Sequence, residues 1–288
     1  MGTLPLLVVA QLTLREMLRR RVVLAAFILT LLVFALTAWG FQRLPDLPCG
    51  GQPCSPTVLR TIAAVFLVLI MFMFSFIIAL GAAFLAAPVI AGDVDSGIVL
   101  AMLPRPIRRL DVVVGKWLAL AALVAVYTVV VCGVEFVITR WAVDYLPPNP
   151  ALAMFFIAWE GIVLLTLALA GSTRFGPIAC GIIAVVLFGV AWVLGVAQQI
   201  GLVFENQTIV NIGAISTLIL PTDGLWRGAL YALEPAVMLA AGGATGRAQV
   251  GNPFMVGGPP TTAFLVWAAL WIVAVLALAV YSFQRRDL

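Results

Sequence analysis

Six separate runs of this chain are each long and apolar enough to cross a lipid bilayer, and that restricts the possible folds more than any other feature. A hydrocarbon core of about 30 Å takes roughly 20 mostly apolar residues in a helix that rises about 1.5 Å per residue. The runs cover residues 22–41, 58–89, 112–138, 151–170, 178–199 and 262–283. The second has length to spare, enough to tilt or to project from the membrane. With 64% hydrophobic residues, 10% charged residues and a mean hydropathy of +1.18, a water-soluble fold would leave large apolar patches exposed. The predicted fold class is an all-α polytopic membrane protein, one transmembrane domain over residues 1–288 with six transmembrane helices.

Several functions are excluded by what the sequence omits. It has no histidine and only four cysteines, which argues against a histidine-dependent hydrolase, a haem protein or a common zinc site. No GxxxxGK[ST] string occurs, so the chain carries no Walker-type nucleotide site of its own. We assign no catalytic residue and no metal site. The net charge of +4 and pI near 9.2 do not point to nucleic acid, because the arginines flank apolar runs instead of clustering with exposed aromatics. They read as topology signals. The first apolar run follows a basic cluster and has full span length, so we expect it to be retained and not cleaved as a signal peptide.

Residues 6–21 precede that run as an expected interfacial amphipathic helix. Leu7, Ala10, Leu14, Met17 and Leu18 are apolar, while Gln11, Arg15, Glu16, Arg19 and Arg20 are polar. Lysine and arginine resist translocation, so their distribution sets orientation. Eleven of the sixteen bases fall on the side shared by both termini, among them Arg15, Arg19, Arg20, Arg21, Arg174, Arg285 and Arg286. Both termini are therefore expected in the cytoplasm, in a cell inner (plasma) membrane. Between the last two spans, residues 201–261 form an extracytoplasmic segment. Its apolar pieces, 208–220 and 225–241, are broken by Pro221, Asp223, Arg227, Glu234 and Pro235. We expect short outer-face helices that dip into the interface, then a Gly/Pro-rich loop over 242–260.

Between the second and third runs lies a charged island. Asp93, Asp95 and Asp111 supply three of the chain's twelve acids, and Arg105, Arg108, Arg109 and Lys116 four of its sixteen bases. Asp93, Asp95 and Ser96 can cap a helix start. Residues 98–103 then form a short apolar helix that Pro104 and Pro106 terminate, giving a helix-break-helix elbow over 93–110 on the cytoplasmic face. A loop that served only topology would need the basic residues but not two aspartates, a glycine and two prolines at these intervals. A calcium loop is excluded, because the position that requires a bidentate acid holds Pro104.

The order Asp93, Gly97, Pro106, Arg108, Arg109, Gly115, Lys116 resembles the central motif of the membrane subunits of type-2 ABC exporters, with Asp93 replacing the commoner glutamate. The opening stretch from Gln11 through Arg21 and the ending from Phe283 to Leu288 are similar to that family's termini. The resemblance implies that the elbow is a coupling helix, with Asp93, Asp95, Gly97, Arg105, Pro106, Arg108, Arg109 and Lys116 docking on a separate ATPase subunit. It implies a dimer, with a second copy of the chain or a paralogous permease, above two ATPase chains that hold the ATP and Mg. Arg105, Arg108 and Arg109 are the candidates for ion pairs with acids of that partner.

Two carboxyls lie inside predicted spans. Glu160 is near the midplane, where an ionised group costs about 2.5–3.5 kcal/mol on insertion scales, so it faces the bundle interior or is protonated. Glu135 sits nearer the outer end of its span, with Arg140 a candidate partner. Both are candidate substrate-path residues, and hydrogen-bonded packing in the bundle is the reading the sequence favours for them. Cys49 and Cys54 bracket the outer loop, where a disulfide and two free thiols fit alike. Cys132 and Cys180 read as packing residues. Gly81, Gly133, Gly161, Gly171, Gly181, Gly189 and Gly195 allow close helix contact. The function expected from the whole is an ATP-driven exporter of a lipid, drug or other amphiphile. An ion- or proton-coupled carrier using Glu160 and Glu135, and a membrane anchor for an enzyme complex, are the two competing readings.

Overall fold

Proline punctuates the chain where the apolar runs begin. Pro56, Pro150 and Pro177 each open a helix at its first turn, where a missing N–H deprives no intrahelical acceptor. The structure, a computed structural model, describes residues 4–18, 21–46, 48–49, 52–95, 108–234 and 258–285. Its helices are α1 (Leu4–Leu18), α2 (Arg21–Arg43), α3 (Pro56–Asp95), α4 (Arg109–Val143), α5 (Pro150–Ser172), α6 (Pro177–Val203), α7 (Gln207–Ile219), α8 (Thr222–Leu233) and α9 (Thr262–Gln284). A two-residue antiparallel pair, β1 (Pro48–Cys49) and β2 (Gln52–Pro53), makes a small outer hairpin.

Among the described residues, six helices, α2 to α6 and α9, are long and apolar enough to span a membrane. At 40 and 35 residues, α3 and α4 extend about 60 and 50 Å, well beyond a hydrocarbon layer of about 30 Å. The centre of the bundle is α5. Phe156, Ile157, Leu164, Leu165 and Leu169 are buried on it, packed among α3, α4, α8 and α9. The flanks are α2 and α9, which turn Leu24, Phe27, Leu32 and Leu36, and Val266, Leu270, Val273 and Leu278, outward. Against lipid tails such faces carry no penalty.

On α1 the buried residues are Thr13 and Met17, while Leu7, Val8 and Leu12 face outward. The wheel drawn from sequence had grouped Leu7 with Met17. What decides the face is the contact with α4: a Cβ on Gly115 would lie 2.9 Å from the Leu6 carbonyl oxygen and 3.2 Å from Val9. That close approach fixes the helix rotation and leaves Leu7, Val8 and Leu12 as an outward apolar strip.

At the opposite end, α7 and α8 meet at a 96° bend. The sequence predicts short helices here that dip inward, and α8 packs into the bundle. Leu225, Trp226, Ala229, Leu230 and Leu233 are all buried, against α5 in particular. Broken helices at such depth need their loose carbonyls satisfied by protein. Here the indole N–H groups of Trp267 and Trp271 donate to Leu218 O at 2.9 Å and Ile219 O at 2.8 Å. Asn149 N donates to Ala232 O at 3.2 Å, and Tyr145 Oη to Leu233 O at 3.3 Å. Trp271→Phe keeps the packing and removes one donor, so it should lower stability by about 1 kcal/mol in detergent thermal unfolding. An unchanged midpoint would mean that water supplies the bond.

Candidate functional site

The predicted elbow is bounded by α3 and α4, and the structure revises how it begins. Asp93 and Asp95 belong to α3, which runs on to Asp95, beyond the predicted boundary at residue 89. Asp93 is therefore in the last turn of α3, opposite the second turn of α4. There it accepts a hydrogen bond from Lys116 Nζ, which also donates to Val89 O at 2.7 Å. The lysine is buried, with its hydrocarbon stem among apolar neighbours and its ammonium turned to the α3 terminus. Adjacent Gly115 gives α1 its closest approach to α4. The Gly-Lys pair thus joins three helices: glycine admits α1 and lysine holds α3.

Arg109 starts α4 and reaches the far end of the chain. Its Nη1 donates to Phe283 O at 3.0 Å and Gln284 O at 2.9 Å, and its guanidinium carbon is 5.9 Å from the centre of the Phe283 ring. Carbonyls at a helix C-terminus lack intrahelical donors and carry partial negative charge, so a guanidinium there is favourable. Arg108, one residue earlier, is exposed with an extended backbone. The α5–α6 turn joins the same end, because Thr173 Oγ1 and Arg174 Nε both donate to Ser282 Oγ at 2.9 Å. One end of the bundle therefore gathers α1, the elbow-facing ends of α3 and α4, the α5–α6 turn and the end of α9.

Of the remaining coupling candidates, Gly97, Arg105 and Pro106 lie outside the described residues, as does the side chain of Asp95. On α1, Arg15 and Glu16 are exposed, while Arg19 and Arg20 lie outside the described residues.

The two interior carboxyls sit in separate settings. Glu160 of α5 is buried and accepts a hydrogen bond from Ser75 Oγ of α3 at 2.6 Å. Glu135 of α4 is buried and accepts from Thr37 Oγ1 of α2 at 3.0 Å. The expected pairing of Glu135 with Arg140 does not occur. Arg140 Nη1 lies 2.8 Å from Asp144, whose other oxygen binds Arg60 at 2.8 Å. Asp144 adopts a left-handed backbone at the C-cap of α4, which brings its carboxylate within reach of both arginines. Sequence reasoning also missed Asp223 and Arg227, one helical turn apart and joined at 2.7 Å. Their i, i+4 spacing was the available signal. Cys54 is disulfide-bonded, whereas Cys132 and Cys180 are free and buried. The side chain of Cys49 lies outside the described residues.

Two apolar clefts open on the side of the bundle. One of about 440 Å³ lies between α2 and α3, lined by Leu36, Trp39, Phe41, Leu44, Phe66 and Ile70, with Thr37 and Arg43 as its polar members. The other, of about 120 Å³, lies among α2, α3 and α4 near Phe27, Ile77 and Tyr127.

Six apolar helices and a polar-laced end beneath them define a multi-pass membrane protein of the transporter class. A family model described as "ABC-2 family transporter protein" matches residues 7–288, and the chain belongs to that family of ABC transporter permeases. No curated protein matches the chain.

Proposed function

We propose that this chain is the membrane-spanning permease subunit of an ATP-driven exporter whose ATPase is a separate protein. The laced end of the bundle lies in the cytoplasm of an inner-membrane protein, and the elbow between α3 and α4 is the part the ATPase grips. A pair of six-span subunits, identical or paralogous, stands above two ATPase chains that bind the ATP and Mg. The observation that carries this reading is the family match along nearly the whole chain, residues 7–288, taken with the basic residues at the elbow end. The apolar clefts beside α2 support a lipid, drug or other amphiphile as cargo. The competing carrier reading places Glu160 and Glu135 in one relay, yet each is bonded to a different helix, to Ser75 and Thr37.

Arg108 is the docking residue to test, because Arg109 is already engaged at the end of α9. Arg108→Glu should reduce permease-stimulated ATP hydrolysis severalfold, with membrane insertion and thermal stability intact. Unaltered stimulation would remove Arg108 from the docking surface.

A further inference from the structure

We infer that Arg109 is a positioning residue that makes the last span move with the elbow. The inference rests on the proposed coupling to a separate ATPase. Arg109 and Arg108 are sequence neighbours with different surroundings: Arg108 is exposed, while Arg109 binds two successive carbonyls of a helix terminus 174 and 175 residues away. Both bonds come from one nitrogen, Nη1, whose two N–H groups serve the two successive carbonyls. On the elbow's other flank, Lys116 fastens the end of α3 to α4. A push that reaches the first turn of α4 therefore passes through Arg109 to the end of α9. The bonds from Thr173 and Arg174 to Ser282 attach the α5–α6 turn to that same end, so α5 and α6 follow α9. Residue 109 acts here through the carbonyls it holds and touches neither nucleotide nor cargo.

A purely static cap would stabilise α9 without transmitting anything, and the two roles separate in a labelling experiment. The permease–ATPase complex in lipid nanodiscs is labelled with an environment-sensitive fluorophore at Gln284→Cys in one sample and Leu110→Cys in another. Selective labelling is feasible, because Cys132 and Cys180 are buried and Cys54 is disulfide-bonded. With native Arg109, both probes should change on addition of ATP. Adding Arg109→Gln should leave the Leu110 response and abolish the Gln284 response. Arg109→Lys, a shorter side chain that keeps the charge, should give an intermediate Gln284 response, and it carries the test if the glutamine variant does not fold. Ser282→Ala should preserve the Gln284 response. An undiminished Gln284 response in the Arg109 variants would overturn the inference and leave a static cap. Equal loss in Ser282→Ala would overturn the assignment to Arg109. Silence of both probes with native Arg109 would sink the coupling proposal, and this inference with it.

Discussion

Replacing Arg227 with alanine is expected to destabilise the protein by about 3–5 kcal/mol, the range for removing one partner of a buried ion pair. The Asp223 side chain is only 5% exposed, and Arg227 Nε donates to it at 2.7 Å. The same guanidinium donates through Nη2 to Gly195 O at 2.6 Å. Truncation thus leaves a carboxylate and a carbonyl without that donor in a bundle core that offers little water. Gly195 sharpens the effect, because a Cβ there would stand 2.2 Å from the Asp223 carboxyl group. The acid is held tightly against α6 and has little room to turn away. Thermal unfolding in detergent measures the loss, and Asp223→Asn in the Arg227→Ala background should recover part of it. A double variant no more stable than Arg227→Ala would show that the charge left behind is not what destabilises.

A second large effect is expected at Lys116. Lys116→Met keeps most of the apolar stem and removes the ammonium that binds Asp93 and Val89 O. We expect a loss of about 2–4 kcal/mol, below the upper range for buried pairs because the Asp93 side chain keeps 21% of its exposure. Asp93→Leu combined with Lys116→Met should be less destabilising than the sum of the single changes, the signature of two residues that act on each other. Strict additivity would place the two side chains in independent roles.

The six spans were legible because their signal is redundant: about twenty apolar residues in a row leave few other structures available. Helix ends were less legible. Residues 93–95 read as the start of the elbow because aspartates favour helix N-termini, but here Asp93 lies in the last turn of α3 and is held by Lys116, a partner 23 residues away. Long-range pairing also explains the miss at Glu135, where proximity in sequence suggested Arg140 and the fold supplied Thr37, 98 residues distant. Glycines show the same limit. A Cβ on Gly161 would come within 2.9 Å of Val124, and one on Gly195 would strike Asp223, whereas Gly81 and Gly189 have nothing within 4 Å. All four sit in apolar runs, and only the rotation of each helix separates them. Burial of α8 was hidden because Pro221, Asp223 and Arg227 mark a broken helix in sequence, whether it lies on the bundle or inside it.

The central claim is that a separate ATPase works this permease through its elbow. Affinity purification of the intact chain from its native membrane, followed by an ATP hydrolysis assay on the eluate, tests it most directly. The account predicts a co-purifying soluble ATPase with a Walker motif, bound by the native chain and released by Arg108→Glu. A fully active transporter purified with no nucleotide-hydrolysing partner would contradict it.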